Sequence, residues 1–179
     1  AKILLLDGNS LSYRAFFALP ADMATASGQV TNAVFGFTSM LQYLLNEQKP
    51  DLVVVAFDRP EPTFRHERIS DYKAGRAETP DILRQQMGLI RQVVEALDLP
   101  IVEIAGYEAD DVIATLATQG CGRGDDVIVV TGDRDTYQLV EDAKPDEGRT
   151  GSIRVLYNKR GVSDYALYDE AGIQEKTGV

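Results

Sequence analysis

Carboxylates recur in this chain directly after short apolar runs. Asp7 follows Ile3-Leu4-Leu5-Leu6, Asp58 follows Leu52-Val53-Val54-Val55-Ala56-Phe57, and Asp133 and Asp135 follow Val127-Ile128-Val129-Val130 by a few residues. A fourth group, Glu108, Asp110 and Asp111, comes just after Gly106 and opens a helical stretch in which Glu108 and Asp111 share a face. Each acid alone has an ordinary explanation. An Asp after a strand serves as a turn or cap residue, and acids at a helix start are favoured by the macrodipole. Together they imply more, because the carboxyl ends of parallel strands share one edge, where ligands bind. Seven carboxylates gathered there would repel and hold their protons unless cations neutralise them. Hard divalent ions with oxygen ligands suit such a set, so the expected cofactor is Mg²⁺, with Mn²⁺ able to substitute. Two ions ~3.5–4 Å apart would hold both the attacking and the leaving oxygen of a phosphodiester displacement.

The stretch between Asp58 and Pro80 carries the opposite charge. Arg59, Arg65, Arg68, Lys73 and Arg76 are interleaved with Phe64 and Tyr72. That mixture offers phosphate contacts and stacking faces for unpaired bases. The competing reading is a solvated surface loop, since its few apolar residues keep no helical or strand period.

These residues need a scaffold that brings them to one place. Ile3–Leu6, Leu52–Phe57 and Val127–Val130 read as strands buried on both faces of a parallel sheet. Ile101–Ile104 is a weaker strand, and Ile153–Tyr157 alternates as an edge strand would. Between them, 31–47, 81–97 and 108–118 carry apolar residues at helical spacing. This order predicts one domain over 1–179, a three-layer α/β/α fold with a mostly parallel central sheet. Residues 142–152, rich in Lys, Pro, Asp, Glu and Gly, read as a mobile loop.

Composition narrows the function classes. Hydrophobic residues make up 44% of 179, enough for a real core. The net charge is −10 with only 18 Lys and Arg, which at first argues against nucleic acid. Much of that acidity belongs to the seven carboxylates above, where metal would cancel it, so charge decides neither way. Cys121 and His66 are the only residues of their types. An internal disulfide and a Cys/His zinc site are thereby excluded, and a histidine-based triad would depend on His66 alone. No apolar run approaches the ~20 residues of a membrane span, and no signal-peptide pattern is visible. A cytoplasmic, nucleoid-associated protein without a membrane partner is expected.

Several motifs occur in one order: Leu4-Leu5-Leu6-Asp7-Gly8-Asn9-Ser10, Tyr13-Arg14-Ala15-Phe16, Thr31-Asn32-Ala33-Val34-Phe35-Gly36-Phe37, Phe64-Arg65-His66-Glu67, Tyr72-Lys73-Ala74-Gly75-Arg76, Gly106 to Asp111, and Gly132 to Leu139. This set resembles the 5′-nuclease (5′→3′ exonuclease) domain of bacterial DNA polymerase I, within the flap endonuclease and PIN-like superfamily. The resemblance implies a PIN-like 5′-nuclease fold and metal-site roles for Asp7, Asp58, Glu108, Asp110, Asp111, Asp133 and Asp135. Lys73 and Arg76 would face the scissile phosphate, Arg14 would bind DNA near the site, and Tyr72 would stack on a base close to the cut. Residues 62–80, including Phe64 and Arg65, would belong to an arch beside which a 5′ single strand passes. The implied substrates are DNA with a 5′ flap or 5′ end and the RNA–DNA primer junction, with fusion to a polymerase. Two departures are expected to matter. The sequence stops at Val179, before a further Asp-containing motif and a helix-hairpin-helix DNA clamp, and the 142–152 loop is longer than usual.

Three rivals stand beside this reading. A PIN-type ribonuclease could share the acids, but the length of 59–80 and the Tyr72–Arg76 motif argue against it. A phosphomonoesterase using Asp7 as nucleophile would want an acid two residues on, where Asn9 stands. A non-catalytic DNA-junction-binding module remains a third.

Overall fold

The computed structural model describes residues 1–58 and 81–178. Strand β1 (Lys2–Asp7) runs into helix α1 (Gly8–Ala18), and α2 (Asn32–Gln48) leads to β2 (Leu52–Ala56). Helix α3 (Asp81–Ala96), β3 (Ile101–Val102), α4 (Ala109–Gly122) and β4 (Asp126–Thr131) follow. After 3₁₀ turns at Arg134–Leu139 and Pro145–Glu147 come β5 (Ser152–Arg160), β6 (Asp164–Tyr168) and α5 (Glu170–Thr177).

The sheet order is β3-β2-β1-β4-β5-β6. All pairs are parallel except β5 with β6. In β1 the side chains alternate between two cores, as a period of two demands. Leu4 and Leu6 join α1, α2 and α3 on one face, while Ile3 and Leu5 join α4 on the other. The expected three-layer α/β/α architecture is therefore present. Each fully buried Leu, Ile or Phe contributes roughly 1.5–3 kcal/mol relative to exposure. That two-sided core is what can hold a crowd of like charges at the sheet edge.

On the first face, a buried amide network joins three helices. Gln86 of α3 accepts the N–H groups of Ala33 (2.8 Å) and Val34 (3.2 Å), capping an α2 whose own N-cap, Thr31, makes no side-chain cap bond. Its Nε2 donates to Asn32 Oδ1 at 2.9 Å, and Asn32 Nδ2 donates to the carbonyls of Phe16 and Leu19 at the end of α1.

Three expectations need correction. Ile153–Tyr157 is not at an edge: β5 pairs with β4 on one side and β6 on the other. The hairpin turns at Gly161, whose φ is +61°, and β6 carries no strong apolar alternation to announce it. The weak fourth strand shrinks to Ile101–Val102. The 142–152 segment is tied down by paired bridges, Lys144 with Arg149 and Glu141 with Ile153, and by Arg149 hydrogen bonds to Glu141 and Glu147.

Candidate metal centre

Asp7 ends β1 and caps α1. Its Oδ1 accepts the Ser10 N–H at 3.2 Å, and its Oδ2 accepts the Thr131 hydroxyl at 3.0 Å. The β1–β2 register sets it beside Ala56, two residues before Asp58. It is only 4% exposed. Burial, and then the charge of Asp110, push its carboxyl up to about 7 despite those two hydrogen bonds.

Asp58 spans two layers. Its Oδ1 accepts the backbone N–H of Ala109 at 2.5 Å, its own N–H donates to Asn9 Oδ1 at 2.7 Å, and its carbonyl accepts from Arg91 at 3.3 Å. Arg91 in turn pairs with Glu103 at 2.6 Å and lies 4.7 Å over the Phe57 ring. At the head of α4, the Glu108 N–H donates to Asp111 Oδ2 at 3.1 Å in a capping-box arrangement. Asp110 rises to about 6, through lost hydration first and then the charges of Asp133, Asp58, Glu108 and Asp111. Asp133 caps the 3₁₀ turn by accepting the Asp135 N–H at 2.9 Å, and its own N–H donates to Thr131 Oγ1.

All seven expected acids line one pocket of about 670 Å³, together with Asn9, Ser10, Arg134 and Gln138. Among the described residues, no three His, Cys, Asp or Glu form a finished ligand set for one ion. The carboxyls of Asp7 and Asp110 are raised by burial first and then by the neighbouring carboxylates. Among the described residues the pocket's ionisable donors are all carboxylates, with no His or Cys in its lining. Such oxygen donors fit hard divalent ions. The acids thus also serve as helix and turn caps, which is how backbone geometry brings four chain segments to one cavity.

Arg14 projects from α1 across the end of β4. Its Nη2 donates to the Gly132 carbonyl (3.0 Å) and to the Tyr157 hydroxyl (2.9 Å), with the guanidinium 5.5 Å from the Tyr157 ring. A Cβ at Gly132 would come within 2.4 Å of Arg14 Nε, so glycine there leaves the guanidinium its path. Burial pushes the Tyr157 hydroxyl up, but the positive charges of Arg134 and Arg14 outweigh it, and the phenol ends below its ordinary value. Lys73, Arg76, Phe64, Arg65 and Tyr72 lie outside the described residues.

Sequence reasoning missed Asn9, Ser10, Arg91, Thr131, Arg134 and Tyr157. Asn9 and Ser10 sit inside the quoted Asp7 motif and could have been flagged as small polar residues at a strand end. Nothing local marks Arg91 or Tyr157, whose partners are distant in sequence.

Residues 2–178 match the family described as 5′-3′ exonuclease, N-terminal resolvase-like domain. The chain belongs to that family of nucleases. DNA polymerase I of Mycobacterium tuberculosis is 45% identical over 178 residues, covering 99% of this chain and 19% of the relative. DNA polymerase I of Geobacillus stearothermophilus is 43% identical with the same coverage. The chain therefore spans about a fifth of these relatives. Among solved structures, phage T5 5′-exonuclease with bound zinc ions matches with a TM-score of 0.69 at 19% identity, covering 100% of this chain and 62% of that one. The catalytic core of Rad2 in complex with DNA matches at 0.55 and 19%, covering 99% and 50%. At such identities these likenesses establish the fold alone.

Proposed function

We propose that this domain is a divalent-metal-dependent 5′→3′ exonuclease and structure-selective flap endonuclease acting on DNA and on RNA–DNA primer junctions in replication and repair, as part of a polymerase-containing chain. The observation that carries this reading is the convergence of seven carboxylates on one cavity at the sheet edge. Asp7, Asp58, Glu108, Asp110, Asp111, Asp133 and Asp135 would hold Mg²⁺ or Mn²⁺, two ions in the full site. The bound metal supplies charge neutralisation, activation of water and stabilisation of the leaving 3′-oxygen. Lys73 and Arg76 would offset charge growing on the pentavalent phosphate. Phe64 and Tyr72 would stack on unpaired bases, with Arg65 and Arg14 on backbone phosphates. The products would be a 5′-phosphate and a 3′-hydroxyl. No helix among the described residues is long and apolar enough to cross a membrane. A cytoplasmic role at the nucleoid belongs to the same proposal.

The deciding assay presents a 5′-flap DNA and a single-stranded RNA, each with Mg²⁺, Mn²⁺ or chelator. Metal-dependent cutting of the flap is expected. Preferential RNA cleavage would favour a PIN-type ribonuclease, and tight flap binding without cleavage a junction-binding module.

A further inference from the structure

Thr131 ends β4 and is fully buried, and its hydroxyl is engaged on two sides. It donates to Asp7 Oδ2 at 3.0 Å and accepts the backbone N–H of Asp133 at 3.0 Å. A hydroxyl carries one proton, and the carboxylate takes it ahead of the Ser10 oxygen, which stands farther off at 3.5 Å. The two partners come from different segments. Asp7 closes β1 and Asp133 follows β4, and the parallel register that sets Leu6 opposite Val130 makes these strands finish side by side. Ser10 adds a second stitch. Its Oγ accepts the Gly132 N–H at 2.8 Å, so the turn between Thr131 and Asp133 is fastened to the first turn of α1.

A buried strand-end threonine with a satisfied hydroxyl is ordinary by itself. What sets this one apart is that both partners belong to acids lining the same pocket. Two carboxylates held close repel each other, and a Lys or Arg set between them would relieve this by cancelling the charge that a divalent ion needs. A neutral hydroxyl orients them without cancelling it. Asp7 receives one hydrogen bond on each oxygen, from the Ser10 N–H on Oδ1 and from Thr131 on Oδ2, so each oxygen keeps a lone-pair site for a further ligand. The geometry points to Thr131 as a positioning residue, backed by Ser10, that sets the separation of Asp7 and Asp133 before any ion arrives. A divalent cation then meets two acids already in place, and the pocket does not have to draw them together against their repulsion. Thr131 itself touches neither ion nor substrate and acts only through the two acids. The inference rests on the metal-site part of the reading above.

The test titrates Mn²⁺ into the protein without DNA and follows free Mn²⁺ by electron paramagnetic resonance, so that metal affinity is read apart from turnover. Thr131→Val keeps the branched shape and strips the hydroxyl from both partners. Affinity at the tightest site should fall roughly 10–100-fold, the scale of removing a group that orients a metal ligand. Thr131→Ser restores the hydroxyl and should recover most of that loss. Ser10→Ala leaves the backbone cap on Asp7 and should lower affinity by a smaller factor. Circular dichroism melts in chelator accompany each variant, because a merely structural role would lower Tm and leave Mn²⁺ affinity as it is. Parental affinity in Thr131→Val overturns the assignment. So does a Thr131→Ser variant as weak as Thr131→Val, since the methyl group and not the hydroxyl would then be at work. Should Thr131→Val lose its folded signal, Ser10→Ala carries the test: weaker Mn²⁺ binding supports the role and parental binding overturns it. Cleavage of a 5′-flap DNA by the unaltered protein in Mn²⁺ is measured in parallel. Intact Mn²⁺ binding without cleavage sinks the nuclease reading, whereas cleavage beside parental affinity in Thr131→Val sinks only the positioning role.

Discussion

Asp58 Oδ1 accepts the backbone N–H of Ala109 at 2.5 Å, so the acid that follows β2 also pins the start of the helix carrying Asp110 and Asp111. Charge and cap are therefore separable at this position. Asp58→Asn keeps an oxygen acceptor for Ala109 and should abolish metal-dependent cleavage with the fold intact. Asp58→Ala should lose activity and in addition about 0.5–2 kcal/mol of stability, the usual cost of a deleted cap. Circular dichroism melts of both variants beside flap cleavage make the comparison. Loss of the folded signal in Asp58→Asn would mean that the acid is structural.

Stability without metal should depend on pH in a definite direction. Asp7 and Asp110 are raised from 3.8 to about 7 and about 6, so the folded state holds these protons more tightly than the unfolded one. Their contribution to stability is full below about 4, and it is lost as pH rises through about 6 and 7. Asp7→Asn should therefore gain on the parent progressively between those limits in chelator, and the gain should shrink when Mg²⁺ is added. Urea titrations at several pH values read it out, and a gap independent of pH would contradict it.

Gly132→Ala places a methyl group where Arg14 now passes. Because a side chain can swing aside, the fold should lose no more than about 1 kcal/mol, within the usual range for single substitutions. DNA affinity should fall roughly 3–10-fold through displacement of Arg14, the scale of one charge-assisted hydrogen bond. Equal affinity with an altered Tm would show that Arg14 is a packing residue.

Lys73→Ala and Arg76→Ala should slow single-turnover cleavage by about 10²-fold or more, the scale found on removing one transition-state donor, with a much smaller loss in binding. Matched losses in rate and affinity would reduce both to ordinary phosphate contacts.

The strand-end acids could be found in the sequence because a continuous apolar run ending in Asp combines two independent signals, burial on both faces and an ionisable group at the rim. Helix α1 escaped detection for the opposite reason. Gly8, Ser10, Ser12 and Ala15 dilute its apolar face, and the features that make it a helix are an Asp7 cap and a Ser12 hydroxyl donating to the Gly8 carbonyl at 2.6 Å. Tyr157 read as an ordinary strand residue, since only the pairing of β5 with β4 sets its hydroxyl within reach of Arg14. Arg91 was one more charge on a helix whose Glu103 and Asp58 partners belong to other segments. Long-range polar pairings leave no local period to detect. The basic set at Lys73 and Arg76 was conspicuous by composition and lies outside the described residues.

The two apolar cores lie on opposite faces of the sheet and share no side chains. The carboxylates do not respect that division. Asp7 caps α1 of one layer, while Glu108, Asp110 and Asp111 open α4 of the other. A divalent ion held between them would act as a rivet through the rim, joining the helical layers on opposite faces of the sheet. Amide exchange should then slow on both layers together as metal is added, so that the domain opens as a single cooperative unit when loaded and layer by layer when empty.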